Sequence, residues 1–211
     1  MYKRSLLNFK NYFFTQLIVG SSYYLVKKLT VGYPVELDLT DIDTFFKPHF
    51  LAPWIYMSFF FIMIAGVTFT TKEKSLECCK IILTNSAIAS LFFIFFPTKI
   101  TYHDYAPYID SYSASYVMMM LIKKYDDTYN CFPSLHIANS IIACYYLIQD
   151  KKIFIKVLSV IWLFLIFWSV ISTKQHIFYD IVGGGVVAFI SFKINAFFKK
   201  TEELPQGSEA V

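Results

Sequence analysis

The chain has 211 residues, of which 56% are apolar, 20% aromatic and only 16% charged, and its mean hydropathy is +0.50. A soluble domain of this length carries more charge and fewer aromatic residues, so the composition excludes an ordinary soluble protein and indicates a membrane protein. The net charge of +4 does not indicate nucleic-acid binding, because the basic residues separate apolar segments instead of forming one patch. The four cysteines have neither metal-ligand spacing nor a disulfide pattern: Cys78, Cys79, Cys131 and Cys144.

Six apolar segments approach the roughly 20 residues that an α-helix needs to cross a bilayer. The first is diluted by Gln16, Ser21 and Ser22, whereas the fifth is the most continuous. No small-residue cleavage site follows the basic N-terminus, so we expect no cleavable signal peptide. The six predicted spans are 11–27, 51–70, 79–97, 131–149, 153–171 and 177–198.

The predicted fold is therefore all-α, a bundle of six transmembrane helices that forms one domain over residues 1–200. A polar tail, 201–211, is expected to be disordered. Residues 28–50 are acidic and aromatic and are predicted to lie at the membrane interface. Residues 98–130 contain VMMMLIKKY, which is typical of a short interfacial helix. The glycines at 183–185 are expected to let the sixth span pack closely on a neighbour.

The distribution of Lys and Arg between the loops predicts the orientation of the bundle. With six spans, twelve of these residues fall on the side that holds both termini and seven on the other side. Cytoplasmic loops carry the excess of positive charge, so both termini are expected in the cytoplasm. The long connections and all four histidines then lie on or near the periplasmic, luminal or extracellular side.

The sequence NCFPSLH, residues 130–136, precedes the apolar run of the fourth span. Proline is favoured in the first turn of a helix, so a helix is predicted to begin here. A helix start exposes unpaired backbone N–H groups and the positive end of the helix dipole, which together bind anions. Ser134 adds a hydroxyl donor to such a site, and His136 adds a titratable group.

The sequence SVISTKQHIFYD, residues 169–180, joins the fifth and sixth spans. His176 and Asp180 are four residues apart, so on a helix they share a face. A carboxylate bonded to one ring nitrogen fixes the tautomer of a histidine and leaves the other nitrogen as a nucleophile. Ionisable groups at the end of a span are costly unless they pair or function, so this pair is a candidate catalytic site.

Two other interpretations of the histidines compete with catalysis. A single histidine at a membrane interface is more often a satisfied polar residue than a catalyst. A metal site is the second alternative, because His and Asp are ligand types, but the chain has no HExxH motif and no third His or Glu on the same helix. Two histidine motifs on one face, each with its own hydroxyl or carboxylate, favour catalysis, and we expect neither a metal nor another cofactor.

The two motifs together resemble those of a known enzyme family. PSLH at 133–136, followed by Ser-x6-His-x3-Asp from Ser169 to Asp180, is similar to the second and third motifs of the type 2 phosphatidic acid phosphatase superfamily. The stretch STKQHIFYDIVGG is especially similar to the lipid phosphotransferase branch of that superfamily, which includes inositol phosphorylceramide synthases. The motifs cover residues 130–185, and the six-span layout extends the resemblance over most of the chain.

The resemblance implies metal-independent chemistry through a phosphohistidine. His176 would attack phosphorus, and Asp180 would orient it and support its developing positive charge. His136 would protonate the leaving alcohol and then activate the incoming water or alcohol. Ser134 and the N–H groups of the helix start would hold the phosphoryl oxygens.

The chain departs from the family's pattern at two positions. The first motif of the family is Lys, six residues, then Arg-Pro, whereas this chain has Lys99 but no Arg-Pro. The third motif usually has Arg after its first Ser, whereas Val170 follows Ser169 here. Two guanidinium groups that would clamp a dianionic phosphate are therefore missing. Lys99 and Lys174 are the expected substitutes for these arginines. The predicted phosphate-binding residues are therefore Ser134, Lys99, Lys174 and Ser169.

The leading functional hypothesis is hydrolysis of a lipid phosphate ester, such as phosphatidic acid or a polyprenyl diphosphate, at the extracytoplasmic interface. A phosphodiester carries one negative charge and needs less neutralisation, so the alternative is transfer of a phospho-head group to a lipid alcohol such as ceramide or diacylglycerol. A third hypothesis is an inactive scaffold or a transporter. Transporters have broken spans with polar residues near the midplane, whereas the polar clusters here lie at the span ends.

Overall fold

The computed structural model describes residues 2–30, 32–101, 107–126, 128–149 and 151–202. Helices dominate these residues, which confirms the predicted all-α membrane fold. The elements in chain order are α1 (Tyr2–Thr30), β1 (Val35–Leu37), α2 (Asp41–Phe45), α3 (Ala52–Met57), α4 (Phe59–Thr68), α5 (Lys72–Phe95), β2 (Thr98–Ile100), α6 (Ala114–Tyr125), α7 (Leu135–Ile148), α8 (Ile153–Ser172) and α9 (Phe178–Glu202).

Among the described residues, three helices are long and apolar enough to cross a membrane, namely α5, α8 and α9. They coincide with the predicted spans 79–97, 153–171 and 177–198. The other three predicted spans are also helical, but α7 and the combined α3–α4 segment extend for only about 21 Å and 25 Å, less than the roughly 30 Å of a bilayer core. The long helix α1 is less apolar than these. That all six segments cross the membrane stays a prediction.

The ends of α1 identify the two ends of the bundle. Near its start, the Asn8 side-chain amide donates to the carbonyl oxygens of Thr68 (3.3 Å) and Thr70 (3.1 Å), just after α4. At its end, the Thr30 hydroxyl donates to Asn130 Oδ1 at 3.2 Å, just before α7. The bundle end that holds Thr30 and Asn130 also holds the starts of α7 and α9, and therefore both sequence motifs. We call it the site end.

Helix α7 lies at the centre of the bundle and packs against α4, α5, α8 and α9. Its contact with α4 is close because Gly66 has no side chain: a Cβ there would lie 2.4 Å from the carbonyl oxygen of Ala143. A buried hydrogen bond from the Asn85 amide to Asn139 Oδ1, 2.9 Å, joins α5 to α7. Most of the buried apolar side chains form one cluster around these helices.

Glycines also allow α9 to approach the start of α7. A Cβ on Gly184 would lie 2.6 Å from the carbonyl oxygen of Ser134, and one on Gly183 would lie 2.5 Å from the ring of Phe132. The predicted close packing of this helix is confirmed for these two glycines. Gly185 has only an ordinary contact, at 4.0 Å.

A small parallel sheet, which the sequence did not predict, fixes the chain at the site end. Strands β1 and β2 pair with Val35 opposite Thr98. The Thr98 carbonyl accepts from the Asn130 amide at 2.7 Å, and its hydroxyl accepts from the Phe132 amide at 3.1 Å. These bonds hold the segment before α7 against the end of α5.

The short helix predicted between residues 98 and 130 is present as α6, whereas its location at the membrane interface stays a prediction. The Ser113 side chain caps it by accepting from the Tyr116 amide at 3.2 Å. Residues 203–211 lie outside the described residues, so the predicted disorder of the tail stays a prediction.

Candidate active site

The turn between α8 and α9 positions His176. The backbone amide of His176 donates to the Val170 carbonyl at 3.2 Å, which folds the turn back onto the end of α8. Lys174 within this turn adopts a left-handed conformation, with φ of 55°. His176 therefore precedes α9, and its contact with Asp180 is made from the turn instead of from a shared helix face.

Asp180 lies in the first turn of α9 and is fully buried. Its Oδ2 atom is 3.2 Å from His176 Nδ1 and accepts from the Ile177 backbone amide at 3.0 Å. Because a carboxylate oxygen is an acceptor, Nδ1 carries the proton and Nε2 keeps its lone pair. The pair thus has the arrangement that a nucleophilic histidine requires.

His136 lies in the first turn of α7 and also faces a carboxylate. Its Nε2 atom is 3.3 Å from Asp126 Oδ2 and 3.1 Å from the Tyr56 hydroxyl oxygen. The Tyr56 hydroxyl also donates to Asp126. Three elements therefore meet at this histidine: α3 supplies Tyr56, the end of α6 supplies Asp126 and α7 supplies His136. A histidine held by a carboxylate and a phenol is suited to donate and accept protons.

The two histidines face each other at the site end. Their ring centroids are 5.7 Å apart, and the Phe59 ring lies 4.7 Å from that of His136. Reacting atoms in productive complexes lie about 3 to 3.5 Å apart. A phosphoryl group bound between the rings would therefore reach both histidines.

Both histidines line one cavity of about 680 Å³, which we call the chamber. Its walls come from α1, α3, α4, α5, α6 and α7, together with the segment before α7 and the turn at Gln175 and His176. Aromatic and aliphatic side chains make up most of the lining, and among the described residues that line it there is no Lys or Arg. The chamber is therefore an apolar pocket with a polar head at the two histidines.

The structure does not bring Lys99 or Lys174 to the chamber. The Lys99 ammonium pairs with Glu36 at 3.6 Å on the partly exposed side of the small sheet. The Lys174 ammonium is buried and donates to the carbonyl oxygens of Asp43 and Phe46, the latter at 2.7 Å. Burial lowers the pKa of Lys174, an effect that the nearby Asp43 carboxylate opposes. Lys174 thus joins the turn to the segment around α2.

The two predicted serines are buried and serve local structure. Ser134 is the N-cap of α7, where its hydroxyl oxygen accepts from the Ile137 amide at 3.4 Å. The Ser169 hydroxyl donates to the Ile166 carbonyl of its own helix at 2.8 Å. Neither serine is among the residues that line the chamber.

One group of side chains has the donor types of a metal site. Cys131, His176 and Asp180 offer ligand atoms within 4.8 Å of one another, and all three residues are buried. His176 and Asp180 already hydrogen-bond to each other, so an ion held through His176 Nδ1 would have to replace that bond. The spacing of the cysteines in the sequence gave no indication of this group.

The sequence did not identify three polar residues that line the chamber near the histidines: Tyr56, Asp126 and Gln175. Tyr56 and Asp126 lie 80 and 10 positions from His136 in the chain and belong to no local motif, so only the fold brings them together. Gln175 is adjacent to His176 and only 3% exposed, yet its Nε2 atom has no hydrogen-bond partner among the described residues. Its position inside the Ser169–Asp180 motif was the one signal that could have identified it.

Comparison with known proteins gives one match. The family model of the PAP2 superfamily matches residues 47–194, more than half of the chain, and this segment contains both motifs and both histidines of the chamber. No curated protein and no solved structure matches the chain. The particular similarity to the inositol phosphorylceramide synthase branch stays a prediction. The chain therefore belongs to the PAP2 superfamily, the type 2 phosphatidic acid phosphatases and their relatives, whose members act as lipid phosphatases or phosphotransferases.

Proposed function

We propose that the protein cleaves a lipid phosphodiester at the chamber and passes its phosphoryl head group, through a phosphohistidine at His176, to an acceptor alcohol. The observation that carries this proposal is the pair of facing histidines, 5.7 Å apart, at the head of an apolar cavity. Each histidine has its own carboxylate, Asp180 or Asp126. Two differently placed histidines suit a reaction that needs one nucleophile and one proton carrier.

In the first step, His176 Nε2 attacks phosphorus. A P–N bond forms, and the P–O bond to the lipid alcohol breaks. His136, protonated at the start, gives its proton to the leaving oxygen. Asp180 keeps the proton on His176 Nδ1 and stabilises the positive charge that develops on the ring.

In the second step, the acceptor alcohol attacks the phosphohistidine. His136 takes the proton of the acceptor hydroxyl, a new P–O bond forms and the P–N bond breaks. His176 returns to its neutral form and His136 to its protonated form, so the cycle consumes no other reactant. Water in place of the alcohol gives hydrolysis by the same steps.

The charge of the chamber favours a phosphodiester over a phosphomonoester. A monoester dianion needs cationic partners, whereas a diester carries one negative charge. The lysines expected to replace the missing arginines are engaged elsewhere, Lys99 with Glu36 and Lys174 with two carbonyl oxygens. Among the described residues that line the chamber, the two histidines are the side chains that can carry a positive charge. These contacts favour head-group transfer over monoester hydrolysis, which was the leading hypothesis from the sequence.

The charge bias of the loops supports a site on the extracytoplasmic side, with both termini in the cytoplasm. The site end holds both histidines, α2 and α6, whereas the opposite end holds the start of α8 and the ends of α4 and α9. A lipid in the outer leaflet would then reach the chamber with its head group at the histidines and its chains toward the bilayer.

The test is turnover by purified protein in mixed micelles with EDTA, comparing wild type with His176→Ala. The lipids are phosphatidic acid, an undecaprenyl diphosphate, and phosphodiester phospholipids with and without ceramide or diacylglycerol. We expect a new head-group-bearing lipid that requires both donor and acceptor and is lost in His176→Ala. Release of free phosphate from phosphatidic acid alone would assign monoester hydrolysis, and equal activity in both proteins would exclude the histidine mechanism.

A further inference from the structure

Helix α1 forms one wall of the chamber although it lies outside the segment that matches the family, residues 47–194. The wall consists of Gln16, Val19, Gly20 and Tyr23. The Tyr23 hydroxyl donates to the Tyr129 carbonyl at 2.8 Å, which fastens this wall to the segment before α7. One wall of the chamber therefore lies outside the segment that matches the family.

The chemistry of the chamber and its continuity with the two histidines indicate what binds beside this wall. The chamber begins at His136 and His176 and continues between apolar side chains, including Phe93 and Met118, as far as α1. With a phosphoryl group at the histidines, the next part of the substrate to occupy the chamber is hydrocarbon. We propose that the chamber holds one hydrocarbon chain of the substrate lipid and that Gly20 determines how long a chain it takes. This inference rests on the proposed function.

Gln16 adds a polar feature to the same wall. Its Nε2 atom is buried and has no hydrogen-bond partner among the described residues. A buried amide N–H without an acceptor is unfavourable unless a ligand supplies one. Gln16 lies seven residues before Tyr23, about 10 Å farther from the site end along the helix. It is placed to donate to an oxygen borne by the lipid chain, such as an ester or amide carbonyl.

The geometry of Gly20 makes the proposal testable without damage to the fold. Gly20 lines the chamber, and a Cβ there would meet nothing within 4 Å, so a larger side chain has open space at this wall. Replacing glycine in a helix also raises helix propensity, so Gly20→Phe is not expected to unfold α1. Gly32 is a matched control, because its Cβ would also meet nothing within 4 Å but it does not line the chamber.

The experiment measures binding of alkylphosphocholines with 8, 12 and 16 carbons, which are single-chain lipid phosphodiesters, to purified protein in nanodiscs. Wild type and Gly32→Phe should bind more tightly as the chain lengthens. Gly20→Phe should reduce the affinity ratio of the 16-carbon to the 8-carbon lipid by about tenfold, the loss expected when a few methylenes are excluded from an apolar site. The same ratio in Gly20→Phe and wild type, or an equal loss at every length, would overturn the proposal.

This measurement is independent of turnover, so its failure differs from failure of the proposed function. A changed length ratio in a protein that turns over no phospholipid would keep the chain-binding chamber and remove the transferase. Turnover that is lost in His176→Ala, combined with an unchanged length ratio in Gly20→Phe, would keep the transferase and remove the chamber's role.

A second inference comes from Gln175, the chamber residue beside His176. It is almost fully buried, and no described residue accepts from its Nε2 atom. Gln175 thus brings an unused donor to the lining of the chamber, directly beside the predicted nucleophile. We infer that Gln175 donates a hydrogen bond to a phosphoryl oxygen, a neutral donor in a site that lacks the family's arginines. A neutral donor also fits a singly charged substrate better than a dianion.

The test compares kcat and KM of Gln175→Leu with those of Gln149→Leu, because Gln149 lies at the far end of α7 and does not line the chamber. Loss of a donor that binds developing charge should lower kcat by about 100-fold with little change in KM, whereas Gln149→Leu should leave kcat within about threefold. Gln175→Glu, which retains the shape but loses the donor when ionised, should resemble Gln175→Leu. A kcat within twofold of wild type in Gln175→Leu would overturn the inference, while His176→Ala reports separately on the proposed function.

Discussion

The two histidines of the chamber are each paired with a carboxylate, but the two pairs are built differently. His176 and Asp180 are four residues apart, belong to one turn, and are almost completely buried, with side-chain exposures of 9% and 0%. His136 and Asp126 come from separate helices and are more accessible, at 17% and 33%. A buried, locally fixed pair suits a nucleophile that must keep one tautomer. A more accessible pair suits a group that exchanges protons with substrate and acceptor.

The difference also explains which pair was predictable. Spacing within one motif reveals His176 and Asp180, because four residues bring two side chains together in any helix or tight turn. Nothing local connects His136 to Asp126 or to Tyr56, which lies on α3 and donates to Asp126. If the two pairs have distinct roles, replacing their members should lower turnover to different extents.

The largest effect is expected for Asp180→Asn. Asparagine keeps the size of the side chain, but its neutral amide carries no negative charge to stabilise the charge that develops on His176, and with its NH2 group toward Nδ1 it favours the wrong tautomer. We expect kcat to fall by about 10³- to 10⁴-fold in the micelle assay, as when a buried triad aspartate is changed to asparagine. A fall of less than tenfold would mean that Asp180 does not hold His176 in the tautomer that makes it a nucleophile.

The next effect is expected for Asp126→Asn, which removes the carboxylate from His136. General acid–base catalysis contributes about 10²- to 10⁴-fold, and the histidine itself remains, so kcat should fall by about 10²-fold. The melting temperature should change little, because this carboxylate is partly exposed. Asp110→Asn is the control, since Asp110 is exposed and does not line the chamber. Equal kinetics in the two variants would remove Asp126 from the mechanism.

A smaller effect is expected for Tyr56→Phe. The ring keeps its packing against His136, 4.9 Å between centroids, while the hydroxyl that contacts both Asp126 and His136 is lost. Loss of about one hydrogen bond predicts a decrease of about tenfold in kcat. If Tyr56→Phe lowers kcat as much as Asp126→Asn does, the phenol takes part directly and the role given to Asp126 needs revision.

The smallest effect on turnover is expected for Lys174→Met, which lies outside the chamber. Its ammonium joins the turn to two carbonyl oxygens near α2, so its loss should reduce the free energy of unfolding by about 1 to 3 kcal/mol and kcat by less than about fivefold. Lys99→Met is the control, because an exposed ion pair contributes about 1 kcal/mol or less. A kcat at least 100-fold lower in Lys174→Met, with unchanged stability, would return this lysine to the phosphate site.

Much of the fold was predictable because each of the six predicted apolar segments contains a helix. Three of those segments have the length and hydropathy of membrane spans, and the cap at Ser134 starts α7 where the motif indicated. The small sheet was not predictable, since three-residue strands carry almost no periodic signal. The position of the Lys174 ammonium was not either, because it depends on a left-handed backbone conformation and on carbonyl oxygens about 130 residues away in the chain.

The chamber shows the same division between local and non-local information. Both histidines and Asp180 belong to motifs, so they could be named from the sequence. The wall contributed by α1 and the donors at Gln16 and Gln175 depend on how distant helices pack, which periodicity within one helix does not specify.

The most direct test of the account is to locate the covalent intermediate. Purified protein is incubated with a phospholipid labelled with ³²P in its phosphodiester, without acceptor, then quenched at alkaline pH and digested with trypsin. Cleavage after lysine places His176 alone in Gln175–Lys193 and His136 alone in Tyr125–Lys151. The account predicts an acid-labile, alkali-stable label in Gln175–Lys193 that is absent from His176→Ala. A label in Tyr125–Lys151, or turnover without any covalent label, would contradict it.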